Sequence, residues 1–254
     1  MKEINPIEKY PNLNLLEYNE EKDSEDLNLK FPYEIKLTHK EESEKLLNKI
    51  FENNLVKTHY RKLTQHDPDS AVHCSRVALL AIDLGLQNPG NFSEEFVEIL
   101  GRAALLHDLG KCDIACEILG KDTELSADEF QKIKEHPRAG AEALEEEFYL
   151  EKMMILFHHE FKRNELLRYP RKDKERRLNE RDSLEGDDRR DSSDLVLRHI
   201  AQLLVVADIL DALKTRPYIK NKNINNTDND EIIKILKEDL LVDDIFIGQI
   251  MKMV

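Results

Sequence analysis

The sequence predicts an all-α fold, and three features of its 254 residues lead to that expectation. Apolar residues recur with the 3.6-residue period of a helix from about Glu41 onward. Glycine and proline number only 8 each, which suits a helix-rich protein better than one built from tight turns. Helix-capping residues precede several of the apolar segments, so the pattern predicts a bundle of about six to eight helices.

Composition excludes some classes of function. Hydrophobic residues make up 40% of the chain and charged residues 35%, with a formal net charge of −14. A protein with this negative charge gains little binding energy from the phosphate backbone of a nucleic acid. We therefore expect no binding to duplex nucleic acid. A local positive pocket for a phosphorylated small molecule remains compatible with this charge.

Cysteine usage and hydropathy predict a cytoplasmic protein. The three cysteines, Cys74, Cys112 and Cys116, are an odd number and do not suggest a disulfide framework, so we expect reduced thiols. Cys112 and Cys116 are predicted to be small buried residues. No apolar stretch reaches the length that a membrane span requires, and we expect no membrane contact.

The chain divides into a short appendage and one larger domain. Residues 1–45 are acidic and irregular, with prolines at positions 6, 11 and 32, and residues 31–37 read as one strand. Residues 46–254 carry the helical periodicity and form the predicted domain. Within it, residues 162–192 are dominated by mixed charge with almost no apolar pattern, which predicts an exposed insertion.

Capping signals place the helices of that domain. One helix follows Pro68, a favoured first-turn residue. Ser93 is the predicted N-cap of the next, and Gly110 is its predicted C-terminal glycine. Ser126 and Glu129 form a predicted capping box. The remaining helices are expected at about 149–159, at about 193–214 and from about 230 to the C-terminus.

Histidines and aspartates stand at the ends of apolar segments or interrupt them, on several separate predicted helices. Moving a carboxylate from water into the protein interior costs on the order of several kcal/mol, unless the carboxylate is paired or binds a metal. One shared metal centre explains all of these placements together. The residues are His73, His107, Asp108, His136, His158, His159 and Asp208.

The donor types narrow the choice of metal. Imidazole and carboxylate without thiolate favour Fe, Mn or Zn over a structural cysteine site. These residues exceed what one ion needs, and a carboxylate such as Asp108 could bridge two ions. Two neighbouring ions can hold an attacking hydroxide and stabilise both oxygens of an in-line displacement at phosphorus.

The order and spacing of these motifs resemble the HD-GYP branch of the HD-domain metal-dependent phosphohydrolase superfamily. The resemblance covers about residue 50 to the C-terminus. The matching segments are HCSRV at 73–77, HDLGK at 107–111, HPRAG at 136–140, HHE at 158–160 and DILDAL at 208–213.

The resemblance implies a helical HD domain with two or three divalent metal ions, Fe or Mn favoured and Zn, Mg or Ni possible. It implies Asp108 and Lys111 as catalytic residues and Lys111, Tyr169 and Arg216 as contacts to the substrate. Asp69, one helical turn before His73, matches the carboxylate that binds a third ion in some members. The implied metal ligands are therefore His73, His107, Asp108, His136, His158, His159, Asp208 and Asp69.

The substrate loop departs from the family pattern. The family's G-Y-P loop corresponds here to Arg168-Tyr-Pro-Arg171, and arginine resists backbone conformations that glycine permits. The R-P-Y sequence that begins at Arg216 comes one residue early relative to the family. The resemblance therefore implies an intact metal site beside an altered substrate loop.

Several alternatives remain open from the sequence. The leading substrate is a cyclic dinucleotide of the cyclic di-GMP type; the alternatives are a nucleotidase or phosphomonoesterase, and a silent module that binds a nucleotide or a protein. A homodimer or a signalling partner is possible. Asp69 could be an ordinary helix cap, Asp211 reads as a hydrogen-bond partner of a ligand, and His158 and His159 would point about 100° apart on a helix.

Overall fold

The fold is all-α, as the sequence predicts. The structure is a computed structural model that describes residues 31–88, 90–121, 123–159, 192–215, 229–238 and 244–254, without the side chains of 192–200, 231 and 238. No strand occurs within these ranges. The α-helices are α1 (Lys40–Glu52), α2 (Asn54–His66), α3 (Pro68–Leu86), α4 (Glu94–Leu106), α5 (Cys116–Leu119), α6 (Ala127–Lys134), α7 (His136–Ala143), α8 (Tyr149–Phe157), α9 (Ser192–Thr215), α10 (Asn229–Glu238) and α11 (Asp244–Met253).

Helix α3 lies at the centre of the bundle. It packs against α1, α2, α4 and α9, and most of its residues from Ser70 to Gly85 are buried. A helix surrounded in this way needs apolar residues on all its faces, which explains the run from Val77 to Leu84. His73 therefore enters the interior of the molecule from the stretch 73–85 of this helix, in which every residue is buried.

The predicted helix starts are confirmed at three positions. Asp67 caps α3 by accepting a hydrogen bond from the Ser70 N–H, with Pro68 in the first turn. Ser93 accepts a hydrogen bond from the Phe96 N–H at the start of α4. The capping box of Ser126 and Glu129 is complete, with both reciprocal bonds formed at the start of α6.

Three local predictions are wrong. Residues 31–37 form no strand; they run in an irregular conformation and share one backbone bond with the end of α11, from Lys36 N–H to Met253 O. Helix α4 ends at Leu106 instead of Gly110, because the chain turns into a 3₁₀ segment, Leu109–Asp113. Cys116 is exposed and Cys112 half-buried, so neither is the small buried residue that the sequence predicts.

Gly110 instead allows two backbones to approach closely. A Cβ atom at this position would overlap the carbonyl oxygen of His136 and the backbone nitrogen of Gly140. Gly140 faces it in the same contact, since a Cβ there would lie 3.1 Å from the Gly110 nitrogen. This pair of glycines lets α7 pack directly on the 3₁₀ segment, so His136 comes beside Asp108.

The described residues form more helices than the six to eight that the sequence predicts, and several of them are short. Breaks such as the one before Pro137 divide the apolar segments. The charged insertion at 162–192 lies almost entirely outside the described residues. The boundary at residue 45 stays a prediction; α1 begins earlier, at Lys40, and buries Leu47 and Ile50 in the core.

In the part of the chain that is described, no helix combines the length and apolar character of a bilayer span.

Candidate metal centre

Three of the predicted ligands stand at helix boundaries and share one local geometry. In each, Nδ1 lies within hydrogen-bond distance of the backbone carbonyl three residues earlier. A carbonyl oxygen has no proton to give, so Nδ1 must carry the proton and Nε2 is left with its lone pair. The three distances are 2.8 Å from His107 to Ala104 O, 2.7 Å from His136 to Ile133 O and 2.6 Å from His158 to Ile155 O.

The fourth histidine, His73, is oriented by a carboxylate. Its Nδ1 lies 2.6 Å from Asp211 Oδ2, and its Nε2 lies 3.0 Å from Asp208 Oδ1. Burial would raise the pKa of Asp211, but hydrogen bonds from His73 and Arg76 outweigh it and hold that pKa below its usual range. Asp211 is therefore ionised, so His73 Nδ1 donates to it and His73 Nε2 faces Asp208. Asp211 thus acts as the hydrogen-bond partner that orients a candidate ligand.

The first candidate ion site consists of His73, His107 and Asp208. All three residues are buried, and their ligand atoms lie within 4.8 Å of one another. Burial lowers the pKa of His107, which keeps its imidazole neutral and able to bind a metal. Burial alone would raise the pKa of Asp208, but the imidazole rings around it, that of His73 first, hold it well below its ordinary value.

The second candidate ion site consists of His136, His158 and His159, whose ligand atoms also lie within 4.8 Å of one another. Nε2 of His136 and Nε2 of His158 are only 3.3 Å apart. Because the proton of each ring is on Nδ1, two lone pairs converge, and burial holds the pKa of His158 well below its usual range. A cation between the two nitrogens removes this repulsion, so the donor set fits a divalent metal ion.

The expected angle between His158 and His159 is not an obstacle. Helix α8 ends at Phe157, so the two histidines follow the helix and do not share its regular spacing. Their ring centroids are 4.0 Å apart, and the His159 ring also lies 5.2 Å from the ring of His136. The end of the helix thus turns both imidazoles toward one point.

Asp108 lies between the two sites. Its Oδ1 is 3.2 Å from His136 Nε2, and its Oδ2 is 3.6 Å from His107 Nε2. Burial would raise the pKa of Asp108, but the charge of the Lys111 ammonium holds it well below its usual range. An ionised carboxylate with one oxygen toward each group has the geometry of a bridge between two ions.

Lys111 lies directly behind this carboxylate. Its Nζ donates to Asp108 Oδ2 at 2.6 Å and to Ser70 Oγ at 2.8 Å, and the side chain is 10% exposed. An ammonium group has three protons, so these two bonds leave one donor for a further acceptor.

A third group of potential donors, Cys74 with His107 and Asp108, does not fit a metal. The Cys74 sulfur approaches His107 at Nδ1, 3.6 Å away, and that nitrogen already donates its proton to a backbone carbonyl. Burial raises the pKa of the Cys74 thiol well above its usual range, so it remains a neutral thiol. Cys74 therefore packs beside the centre as a small apolar residue.

Sequence reasoning gave no role to Arg76, Ser70 or Tyr33. Arg76 donates to both oxygens of Asp211 through Nε at 2.6 Å and Nη2 at 2.8 Å, which fixes the carboxylate that orients His73. An arginine in the apolar run of α3, three residues after His73, was the available signal. Ser70 and Tyr33 carry no comparable signal, because their contacts join distant parts of the chain.

Three predicted residues stay untested. Asp69 lies exposed in the first turn of α3, outside the three groups of donor atoms found among the described residues, so its role with a third ion remains a prediction. Tyr169 and Arg216, the predicted substrate contacts, lie outside the described ranges.

Comparison with known proteins places this centre in a family. The model of the HD domain matches residues 71–215, more than half of the chain. A cyclic di-GMP phosphodiesterase response regulator, RpfG of Xanthomonas campestris pv. campestris, is 34% identical over 145 residues, which cover 55% of this chain and 31% of RpfG.

Two further relatives are shorter matches. A cyclic di-GMP phosphodiesterase of Vibrio cholerae serotype O1 is 47% identical over 49 residues, 19% of this chain and 10% of the relative. The cyclic di-GMP phosphodiesterase PA4108 of Pseudomonas aeruginosa is 30% identical over 95 residues, 36% of this chain and 23% of the relative. The matches cover less than a third of these curated relatives, which are distant homologues. On its matched sequence, and with buried histidine and aspartate clusters in the expected places, the chain belongs to the HD-domain family.

Proposed function

We propose that the chain is a metal-dependent phosphodiesterase that hydrolyses a cyclic dinucleotide of the cyclic di-GMP type. The observation that carries the proposal is the pair of buried histidine-containing groups on either side of Asp108, which match the requirements of a two-ion centre. The names of the three relatives support the choice of substrate class. Family membership supports phosphoester hydrolysis more broadly.

Seven residues would hold two divalent ions in this proposal. Nitrogen and carboxylate donors without thiolate favour iron or manganese, while zinc, magnesium and nickel remain compatible. When bound, the ions supply a hydroxide nucleophile at neutral pH and neutralise charge on the phosphate. One ion would take His73, His107 and Asp208, the other would take His136, His158 and His159, and Asp108 would bridge them.

The side chains around the ions position the substrate. Lys111, held by Asp108 and Ser70, directs its remaining donor toward a phosphate oxygen and offsets part of the negative charge there. Asp108 holds Lys111 and the two ion sites in one arrangement, and both residues are therefore the proposed catalytic residues. Tyr169 and Arg216 are proposed as further substrate contacts, and Asp69 as a ligand of a third ion.

A second candidate is a phosphomonoesterase or nucleotidase with the same metal centre. The observation that favours it is Arg168 in place of the glycine in the family's substrate loop. A changed loop alters the shape of the pocket that receives the two bases of a cyclic dinucleotide, while the metal centre is unaffected.

The test is hydrolysis by the full chain, purified without chelator under anaerobic conditions and reconstituted with Fe²⁺ or Mn²⁺. The substrates are cyclic di-GMP, its linear dinucleotide, and a nucleoside monophosphate. We expect cleavage of cyclic di-GMP, loss of that cleavage in His107→Ala, and unchanged cleavage in His59→Ala. His59 is the matched control because it belongs to none of the proposed ligand groups. Its Nε2 lies 2.9 Å from Glu145 Oε2.

The other outcomes discriminate between the candidates. Release of phosphate from the monophosphate with an intact cyclic dinucleotide would favour the phosphomonoesterase. A chain that retains metal but turns over none of the three substrates would replace both enzyme proposals with the binding module.

A further inference from the structure

The segment that precedes α1 is bound firmly to the helical core. The Lys36 N–H donates to Met253 O at 2.8 Å, and the His39 N–H donates to the buried carboxylate of Asp83 at 2.6 Å. This segment, residues 31–39, lies outside the matched HD domain, which begins at residue 71. Its apolar side chains pack half-buried against the core: Phe31, Ile35 and Leu37.

One side chain of this segment reaches the surroundings of the metal centre. The Tyr33 hydroxyl donates to Asp211 Oδ1 at 2.7 Å, while Asp211 Oδ2 accepts from His73 Nδ1 at 2.6 Å. Burial, followed by the charge of Asp211, raises the pKa of Tyr33 far above its ordinary value, so the hydroxyl stays protonated and remains a donor. A chain of hydrogen bonds therefore runs from Tyr33 through Asp211 to His73.

The donors around Asp211 leave little freedom for its carboxylate. Oδ1 accepts from Tyr33 and Arg76 Nε, and Oδ2 accepts from His73 and Arg76 Nη2. Asp211 is 0% exposed, so its carboxylate depends on these side-chain donors and not on contact with bulk solvent. Without the tyrosine hydroxyl, Oδ1 keeps only the Arg76 Nε donor, so the carboxylate is held less tightly in the orientation that His73 Nδ1 meets.

We propose that Tyr33 is a positioning residue of the metal centre, delivered by the segment ahead of the HD domain. It holds Asp211 in the orientation that directs His73 Nε2 toward Asp208. The inference rests on the proposed function, because it assigns His73 and Asp208 to a metal ion. It makes residues 31–39 a structural part of the centre, although they contribute no ligand to it.

The experiment is titration of the full-length, metal-free chain with Co²⁺ against a competing chelator, with the visible absorption spectrum recorded at each step. Tyr33→Phe removes only the hydroxyl. We expect a loss of Co²⁺ affinity of about 3- to 10-fold, at or below the roughly 10- to 100-fold range for partners that bind a ligand directly. We also expect a shifted Co²⁺ absorption band, which a purely structural role for Tyr33 does not produce.

Two control variants separate positioning from general effects. Tyr149→Phe makes the same chemical change at a side chain that is 58% exposed, and it should leave affinity, spectrum and melting temperature unchanged. Gln249→Ala removes the hydrogen bond of 3.0 Å from Asn88 and should lower the melting temperature without moving the Co²⁺ band.

The failures of the two proposals are distinguishable. A wild-type chain that binds no Co²⁺ would overturn the metal centre, and with it the role of Tyr33. If the wild-type chain binds Co²⁺ and His73→Ala weakens the binding, an unchanged affinity and spectrum in Tyr33→Phe would overturn the role of Tyr33 alone.

Discussion

At the scale of single residues, Gly110 controls the distance between Asp108 and His136. Only glycine fits at this position, because a Cβ atom there would overlap the backbone at the start of α7. The residue supplies no donor to the centre. Its contribution is the close approach of two backbone segments that each carry a proposed ligand.

We predict that Gly110→Ala destabilises the fold by about 1–3 kcal/mol, the usual cost of overpacking, and weakens metal binding by moving His136. The measurements are urea unfolding and Mn²⁺ titration. Gly248→Ala is the matched control, because a Cβ there meets nothing within 4 Å in α11. That control should be neutral or stabilise the fold by up to about 1 kcal/mol. Equal unfolding curves for the two variants would contradict this account of Gly110.

At the scale of helices, one buried ion pair joins two elements that deliver proposed ligands. Arg102 of α4 donates to Glu151 of α8 at 2.7 Å, and the Glu151 side chain is 3% exposed. His107 follows α4 and His158 follows α8. The pair therefore fixes the relative position of the two helix ends from which these histidines extend.

We predict that Arg102→Met destabilises the fold by about 3–5 kcal/mol, because it leaves the Glu151 carboxylate buried without a partner. Lys49→Met is the control: it removes an ion pair to Glu98 in which Lys49 is 54% exposed, and should change the free energy of unfolding far less. The double variant Arg102→Met/Glu151→Leu should recover much of the loss, as measured by urea unfolding. Its failure to recover would locate the effect in lost packing of the arginine.

At the scale of the whole molecule, metal binding should be linked to folding. The proposed ligands come from α3, α9, the start of α7 and the ends of α4 and α8, so bound ions connect elements that are distant in sequence. Ligands that bind only the folded state stabilise it by an amount that grows with the logarithm of their concentration relative to the dissociation constant.

We predict that Mn²⁺ at about 100 times its dissociation constant stabilises the fold by about 3 kcal/mol and raises the melting temperature by several degrees. Chelator should reverse the increase. His107→Ala should show little of it, and His59→Ala should show all of it. A melting temperature that does not respond to Mn²⁺, Fe²⁺ or Co²⁺ would argue against a metal centre in the folded chain.

Much of the candidate site follows from local sequence signals. The positions of His73, His107, Asp108 and His136 at helix ends or in buried helices are visible from apolar periodicity and capping residues. The order of the motifs also predicts the HD-domain family, which the comparisons confirm. These features depend on spacings of a few residues, which a helix translates directly into shared faces.

Contacts between distant segments are the part that the sequence does not reveal. Tyr33 and Asp211 are 178 positions apart, and no periodicity relates an irregular segment to a helix so far along the chain. The end of α8 before His158 was also uncertain, because an apolar run continues to that point without a glycine or proline. Residues 31–37 have the alternation of a strand but no neighbouring strand with which to pair among the described residues.

The hydrogen bonds of the four buried histidines imply an uneven sensitivity of the centre to mutation. His107, His136 and His158 are oriented by main-chain oxygens, which every amino acid provides, so substitutions at Ala104, Ile133 or Ile155 preserve the acceptor. His73 depends on the side chain of Asp211, and through it on Arg76. Random mutagenesis should therefore find changes that abolish an orienting hydrogen bond concentrated around His73, while inactivating changes near the other three histidines act through packing, as at Gly110.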